Sequence, residues 1–320
     1  PLGFGKTLQN GRVNWMFESA PEPGLNGRRD FLPRGKVLGG SSSINGMIYM
    51  RGQAQDYDHW AQLGCRGWSY DDVLPYFKRA ENNQRGGDEF HGVGGPLTVS
   101  DLTEKTPVAE AFIAAGKEMG LPENPDFNGA FQEGVGYSQV TIQKGRRNST
   151  AQAFLKPARS RPNLKVETGA AARHVLFEGG RAVGMAYLAN GVPKEAKATR
   201  EVILCCGAYG SPHVLELSGV GDPARLKAAG IAPRHSLPGV GEGMQDHQIF
   251  RMRWRLKGRL NTYNERVHGL RALGDGPGGG AVKAVLGEDQ FGRVQDRLLR
   301  LAPFRAEIVA GRVAHHFPLI

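Results

Sequence analysis

One short segment of the chain combines adjacent glycines, a serine run and preceding cations. The segment, residues 33–52, reads Pro-Arg-Gly-Lys-Val-Leu-Gly-Gly-Ser-Ser-Ser-Ile-Asn-Gly-Met-Ile-Tyr-Met-Arg-Gly. The glycine pair at 39–40 lacks Cβ atoms, so its backbone can approach a ligand closely. A helix that began near Ser42 or Ser43 would be capped by serine and would turn backbone N–H groups towards an anion. The segment therefore predicts contact with a phosphate-bearing cofactor.

Two common nucleotide-binding motifs do not describe this segment. No Lys-Ser or Lys-Thr follows the second glycine, which excludes a Walker A loop. The glycine spacing also differs from the G-x-G-x-x-G of a Rossmann fingerprint. On the glycines alone, a tight loop with a ligand and one without remain equally open.

A second segment, residues 201–221, strengthens the interpretation. It reads Glu-Val-Ile-Leu-Cys-Cys-Gly-Ala, followed by Tyr-Gly-Ser-Pro-His-Val-Leu-Glu-Leu-Ser-Gly-Val-Gly. Together the two segments closely resemble the two signatures of the glucose–methanol–choline (GMC) FAD-dependent oxidoreductases, most of all the choline-dehydrogenase-like branch. The likeness extends over roughly residues 1–272. It implies an α/β fold of the GMC type, with an FAD-binding region assembled from separated segments and part of an antiparallel α+β substrate domain.

The resemblance also implies FAD as the cofactor and names the residues that contact it. Beside the flavin ring it places Val37, Gly40, Ser41, Asn45, Gly46, Met47 and Ile48. On the adenine and phosphate side it places Ala172, Gly207 and Ala208. Some relatives bond a histidine of the serine run covalently to the flavin. The run here, Ser41–Ser43, contains no histidine, so we expect FAD to be held non-covalently.

Domain boundaries follow from where the likeness begins and ends. We expect residues 1–248 to form the FAD-binding region, without the initial G-x-G-x-x-G unit that relatives carry upstream. Residues 249–273 would begin the substrate domain. The unmatched tail, residues 274–320, contains a glycine-rich break at 275–280, and we interpret this tail as a segment read in a shifted frame or as a mis-assembled end. The first residue is not Met and no signal peptide is present, so we expect the chain to be the interior of a longer protein.

The resemblance implies oxidation of a CH–OH donor by hydride transfer to flavin, with a small-molecule alcohol as substrate and a separate electron acceptor. The catalytic base of relatives is a histidine in a His-Pro-x-Gly-Thr context, which this sequence does not contain. The run His315–Pro318 does not reproduce it. We interpret His59 and His247 as structural, and His91 as a loop residue with local hydrogen bonds. No catalytic residue is therefore assigned, and we expect this chain to be inactive or nearly so.

Two other functions are compatible with the sequence, a non-catalytic flavin-binding remnant and a basic nucleic-acid-binding module. The second rests on the net charge of +10 and on seven basic residues between Arg251 and Arg271. Four of these alternate with apolar residues, as in a half-buried strand with one charged face. We therefore expect no nucleic-acid partner. The alcohol, the oligomeric state, and the choice between oxidase, dehydrogenase and lyase chemistry stay open.

Composition sets the class and the compartment. A chain of 320 residues with 40% hydrophobic and 22% charged residues is globular. Its three cysteines contain no C-x-x-C, which argues against a disulfide framework or zinc site and for a reducing compartment. No apolar run reaches the length of a membrane span. We expect a cytoplasmic protein, with a peripheral position on a membrane as the alternative.

Capping residues and apolar periodicity predict the elements that position these segments. Ser69, Thr106, Ser149 and Ser211 are the expected N-caps. Helices are predicted near 70–80, 108–119, 149–155, 212–218 and 223–229. Strands are predicted near 97–99, 164–167, 172–177, 181–188 and, as a buried parallel strand, 201–206.

Overall fold

The computed structural model describes residues 7–246. They divide into two compact units, residues 7–161 and residues 162–246, and each is described by itself. The expectations for His247, for the basic segment 251–271 and for the tail 274–320 fall outside the described residues. None of the helices within the described part combines the length and apolar character that crossing a bilayer requires.

The first unit contains three longer helices and several short elements. The helices are α1 (Ala54–Gln62), α2 (Tyr70–Ala80) and α3 (Pro107–Glu118). Single helical turns lie at Pro23–Leu25 and Gly40–Ser43, and a π-helical turn at Ala151–Leu155 continues into Lys156–Ala158. The strands are β1 (Phe17–Glu18), β2 (Phe31–Leu32), β3 (Glu81–Asn83), β4 (Leu97–Val99), β5 (Ile142–Gln143) and β6 (Arg146–Arg147).

The first-unit strands form three separate pairs. β1 with β2 and β5 with β6 are antiparallel, whereas β3 with β4 is parallel. The β3–β4 pair is deeply buried, because Glu81 and Val99 are 0% exposed. The apolar core around this pair consists of Ile44, Met47, Val99, Val135, Val140 and Ala153.

Local capping explains two of the helices. The Ser69 side chain accepts from the Asp72 N–H, and the Asp72 carboxylate accepts from the Ser69 N–H, which forms a capping box at the start of α2. Thr106 Oγ1 accepts from the Ala109 N–H, 3.2 Å away, at the start of α3. The predicted helices near 70–80 and 108–119 are confirmed.

The second unit is built on a three-stranded antiparallel sheet in the order β7 (Ala170–Glu178), β8 (Arg181–Ala189) and β9 (Val192–Lys197). Both turns place two residues at positive φ, Gly179-Gly180 at 53° and 84° and Asn190-Gly191 at 50° and 85°. That pattern is the type I′ turn, which matches the twist of a hairpin. The predicted strands near 172–177 and 181–188, with their turn, are confirmed.

The remaining second-unit elements follow the sheet. They are α4 (Gly207–Leu217), β10 (Val220–Gly221), α5 (Pro223–Ala228) and β11 (His235–Ser236), with β10 and β11 parallel. Helix α4 packs on β7. Asp222 Oδ1 accepts from the Ala224 and Arg225 N–H groups at the start of α5, so the predicted helix near 223–229 is confirmed.

Two predicted strands are wrong. Residues 164–167 and 201–206 have no strand conformation, and Ile203 is 72% exposed where a buried strand was expected. An apolar run becomes a strand only when a neighbouring strand pairs with its backbone. Within the described residues no strand pairs with either segment.

Two predicted caps are also wrong. Helix α4 begins at Gly207, four residues before Ser211, and the Ser211 hydroxyl accepts from the Cys206 N–H instead. The helical turn at 151–155 is preceded by Thr150, and no side chain caps it. At Ser211 the backbone continues its helical conformation upstream of the expected serine. Ser149 directly precedes the first helical residue, Thr150, but no side chain makes a capping hydrogen bond there.

Candidate functional site

The glycine–serine segment of the first unit folds into a closed loop around a single helical turn. Gly39 and Gly40 have φ values of 86° and 52°, which L-residues with side chains rarely adopt. A Cβ on Gly35 would lie 2.2 Å from the Gly40 carbonyl oxygen. The Gly35 N–H donates to Ser41 Oγ at 3.1 Å. Glycine at these positions is therefore what allows the loop to close.

The serine hydroxyls do not cap a helix, contrary to the expectation. Ser42 Oγ donates to the Gly39 carbonyl, and Ser43 Oγ donates to the Leu38 carbonyl at 2.8 Å. The helical conformation ends after one turn, Gly40–Ser43. The hydroxyls thus satisfy backbone carbonyls of the loop itself, and no long helix points its N-terminus from here.

The loop continues through Asn45–Ile48, where buried and exposed residues are adjacent. Asn45 Oδ1 accepts from the Met47 N–H at 3.1 Å, and Met47 has a positive φ of 66°. The Met47 side chain is buried, whereas Ile48 is 61% exposed. The Met47 carbonyl accepts from the Thr141 N–H at 2.8 Å. One side of the loop is therefore fixed to the core while the other is open.

The open side has the properties that a planar heteroaromatic ring requires. A Cβ placed on Gly40 or Gly46 would have no atom within 4 Å. Val37 and Ile48 of the same loop have exposed apolar side chains. The Gly46 and Ile48 N–H groups have no acceptor among the residues that the structure describes. Apolar surface beside free backbone donors fits the flavin ring of FAD.

The second unit places the other three expected residues on two elements that pack on each other. Ala172 is exposed on β7, one of the two edge strands of its sheet, beside an irregularity in the β7–β8 register. Gly207, with a φ of 80°, and Ala208 form the first turn of α4. That turn has no acidic residue and no side-chain cap, so its N–H groups are suited to an anion such as a phosphate.

A cavity of about 500 Å³ lies against the first turns of α4. Ala208, Ser211 and Pro212 line it on the helix side, and Val240 and Met244 line it on the other. The predicted contacts thus form two groups. Val37, Gly40, Ser41 and the 45–48 segment share one loop of the first unit, and Ala172, Gly207 and Ala208 belong to the second unit.

A buried cluster of charged side chains in the first unit was missed by the sequence analysis. Glu81 accepts from Arg51 Nη2 at 2.7 Å and lies 3.0 Å from His91 Nδ1. His91 Nε2 lies 2.8 Å from Asp126 Oδ2. The interpretation of His91 as a loop residue with local hydrogen bonds is confirmed for its backbone N–H, which donates to Asp88. It is wrong for the ring, whose partners lie 10 and 35 residues away along the chain.

The electrostatics of this cluster favour its ionised forms. Hydrogen bonds to Asp126 and Glu81 raise the pKa of His91 to about 9. Burial is the largest single influence and would raise the pKa of Glu81 and of Asp126. The hydrogen bonds from His91, together with backbone N–H donors and nearby arginines, lower both pKa values in sum. No local sequence signal marks the cluster, since its members come from four separate segments.

All three cysteines, Cys65, Cys205 and Cys206, are exposed free thiols. Within residues 7–246 no group of three His, Cys, Asp or Glu side chains is arranged so that it could hold a metal ion.

Comparison with known proteins gives a consistent result. The pattern that defines the GMC oxidoreductase family matches residues 8–249. The oxygen-dependent choline dehydrogenase of Chromohalobacter salexigens is 46% identical over 290 residues, which cover 88% of this chain and 52% of that protein. The enzyme of the same name from Sinorhizobium fredii is 47% identical over 250 residues, which cover 78% of this chain and 45% of that protein.

Solved structures agree with these relatives. Pyridoxine 4-oxidase from Mesorbium loti matches with a TM-score of 0.69 at 36% identity, over 74% of this chain and 47% of that one. An FAD-dependent oxidoreductase from Chaetomium thermophilum matches with a TM-score of 0.66 at 30% identity, over 71% and 42%. The chain spans about half the length of the curated relatives it matches.

Proposed function

The chain belongs to the GMC oxidoreductase family, and we propose that it is the FAD-binding part of an oxidoreductase that acts on CH–OH donors. The observation that carries the proposal is the composition of the 37–48 loop. It has exposed apolar side chains at Val37 and Ile48, and N–H groups at Gly46 and Ile48 that find no acceptor among the described residues. FAD, when bound, supplies the redox chemistry by accepting a hydride from the alcohol carbon.

In this proposal the chain contributes binding and orientation. Val37, Gly40, Ser41 and the 45–48 segment contact the flavin ring without a covalent bond, since no histidine lies in the serine run. The first turn of α4, at Gly207 and Ala208, holds phosphate through backbone N–H groups. Ala172 contacts the adenine through the backbone of its edge strand.

The substrate and acceptor are proposed from the relatives. Choline is the first alcohol to test, because curated relatives at 46–50% identity are named choline dehydrogenases. Their printed names also make molecular oxygen the first electron acceptor to test. We further propose that residues 1–248 form the FAD-binding region, that residues 249–273 begin the substrate domain, and that the protein resides in the cytoplasm.

FAD binding tests the proposal directly. The purified chain is incubated with FAD, freed of excess cofactor, and examined for a flavin absorption band. Gly46→Val puts a side chain on the open side of the loop without a clash inside the protein. We expect it to keep the circular dichroism of the wild type and to weaken FAD binding about tenfold or more.

The matched control is Gly11→Val. Its Cβ would meet only ordinary van der Waals contact, with Met16 Cγ at 3.8 Å, so FAD binding should be unchanged. A wild-type chain that retains no flavin, or a Gly46→Val variant that binds FAD as the wild type does, would contradict the proposal.

We also propose that this chain alone does not turn over alcohols, because no histidine lies in a His-Pro-x-Gly-Thr context. A general base typically contributes about 10²–10⁴-fold to such reactions. The measurement is reduction of an artificial electron acceptor by the FAD-loaded chain with choline and simple alcohols. Turnover above that of free FAD would refute this part of the proposal.

A further inference from the structure

The two ring nitrogens of His91 both face carboxylates. Nδ1 lies 3.0 Å from Glu81 Oε1, and Nε2 lies 2.8 Å from Asp126 Oδ2. A neutral imidazole has one donor nitrogen and one acceptor nitrogen, so it can satisfy only one of these carboxylates. Both contacts are hydrogen bonds only when His91 is the doubly protonated imidazolium.

The charge balance of the cluster leads to the same state. The side chains of Arg51, Glu81 and His91 are 3%, 0% and 5% exposed, and Asp126 is 26% exposed. With His91 protonated, two cations face two anions. With His91 neutral, the buried cluster would carry an uncompensated negative charge, which is costly in a low-dielectric interior.

The cluster is joined to the flavin-ring segment by two hydrogen-bond routes. In the first, Glu81 holds the Arg51 guanidinium, and Asn128 Oδ1 accepts from the Arg51 N–H at 2.7 Å. In the second, Asn83 Nδ2 donates to Gln139 Oε1 at 2.9 Å, and the Gln139 carbonyl accepts from the Tyr49 N–H at 2.8 Å. Both routes end at residues 49–51, which directly follow Ile48.

The Asn83 amide can form two different sets of hydrogen bonds, and the protonation of His91 decides between them. Its Nδ2 group lies 3.0 Å from Glu81 Oε1, 3.0 Å from His91 Nδ1 and 2.9 Å from Gln139 Oε1, but carries only two hydrogens. Beside an imidazolium it donates to Glu81 and Gln139. If Nδ1 lost its proton, the Asn83 amide would donate to that nitrogen, and Glu81 would lose two donors at once.

We propose that His91, as an imidazolium, is a positioning residue that fixes residues 49–51 through Glu81 and Asn83 and thereby holds the 45–48 segment in its flavin-binding conformation. This inference rests on the proposed function for its flavin readout. Further charged and titratable groups lie around the cluster. Asp101 accepts from Arg85 and from Gln139, and Arg85 also contributes to lowering the pKa of Asp126. Asp88 accepts from the His91 N–H, and Tyr49 and Tyr70 lie near Arg51.

The first test needs no cofactor. In the full chain labelled with ¹⁵N-histidine, one ring that disappears in His91→Gln should have both nitrogens protonated at about pH 7 and titrate near 9. Amide hydrogen exchange of the peptide that covers residues 44–52 should be about tenfold faster in His91→Gln than in the wild type at the same pH. His59→Gln, at an exposed histidine of α1, is the matched control and should leave exchange unchanged.

The second test uses FAD. We expect the wild-type dissociation constant to rise as the pH passes through about 9. His91→Gln should bind FAD about tenfold more weakly at neutral pH and lack the alkaline transition, while His59→Gln keeps it. If His91→Gln does not fold, His91→Gln/Asp126→Asn serves instead, since it restores the charge balance and should recover slow exchange.

The outcomes separate the two proposals. No FAD binding by any variant contradicts the proposed function, while the nitrogen protonation and the exchange of residues 44–52 still decide the role of His91. A neutral His91 ring at about pH 7 overturns the inference. So does exchange of the 44–52 peptide, or FAD binding, that is the same in His91→Gln as in His59→Gln, and so does fast exchange in His91→Gln/Asp126→Asn.

Discussion

Arg147 and Asn45 are joined by two hydrogen bonds, from Nη1 to Oδ1 at 2.6 Å and from Nη2 to the carbonyl oxygen at 2.7 Å. Arg147 Nη1 also donates to the Ser42 carbonyl at 3.0 Å. One side chain of β6 therefore holds both ends of the turn between the serine run and Gly46. The conformation of the open loop depends on a residue about 100 positions further along the chain.

Removing this guanidinium should loosen the loop. Arg147→Gln loses three hydrogen bonds to the loop and should lower the free energy of unfolding by about 1–3 kcal/mol. FAD binding should weaken about tenfold. Chemical denaturation and FAD titration measure the two effects. The control is Arg146→Gln, which changes the exposed neighbour on the same strand and should alter neither stability nor FAD binding. Equal effects of the two substitutions would show that Arg147 has no special role.

The chain should lose stability both at alkaline and at acid pH, through different groups of the buried cluster. His91 has a pKa raised to about 9, so its contribution is complete below about pH 6.5 and is lost as the pH rises through about 9. Glu81 and Asp126 have lowered pKa values, so their contributions are complete above about pH 5 and are lost in acid.

We therefore expect the free energy of unfolding to be greatest between about pH 5 and 6.5 and to fall by about 3 kcal/mol at alkaline pH. Urea denaturation at a series of pH values measures it. His91→Gln should flatten the alkaline decrease, and His59→Gln should preserve it. An alkaline decrease of the same size in His91→Gln would assign it to other groups.

Gly87 and Gly92 lie in the same loop, but substitution by alanine should affect stability very differently at the two positions. A Cβ on Gly92 would lie 1.8 Å from the Lys78 carbonyl oxygen, whereas a Cβ on Gly87 would meet only ordinary contacts, from 3.6 Å. Gly92→Ala should cost about 1–3 kcal/mol or more, because backbone of α2 would have to shift. Gly87→Ala should be close to neutral. Thermal unfolding of both variants tests this, and similar melting temperatures would contradict it.

A buried serine connects α4 to the sheet of the second unit. Ser218 Oγ accepts from the Val175 N–H at 2.8 Å and donates to the Val214 carbonyl. Ser218→Ala leaves a buried N–H without an acceptor and should cost about 1–3 kcal/mol. Ser236→Ala, at an exposed serine of β11, should change stability little. Denaturation that gives equal values for both would argue against the buried hydrogen bond.

The sequence predicted those elements whose determinants lie within a few residues of each other. The capping box of Ser69 and Asp72 and the turn at Gly179-Gly180 are complete within three or four residues. Residues 164–167 and 201–206 failed as strands because a strand also needs a partner, and apolar alternation does not supply one.

The candidate site was predicted unevenly for the same reason. The segment 33–52 was found from its residues and its resemblance to a family. The expected helix cap failed because Ser42 and Ser43 donate to carbonyls of their own loop. The His91 cluster could not be predicted, since its ion pairs join segments up to 35 residues apart and only the folded chain brings them together.

The exposed segment 201–204 has a consequence for handling the protein. Val202, Ile203 and Leu204 form an apolar, largely β-branched run, with Ile203 72% exposed and no pairing strand in the described part of the chain. Such a run is a template for β-pairing between molecules. Self-association through this segment, rather than the folding stability of either unit, should set the concentration at which the isolated chain precipitates.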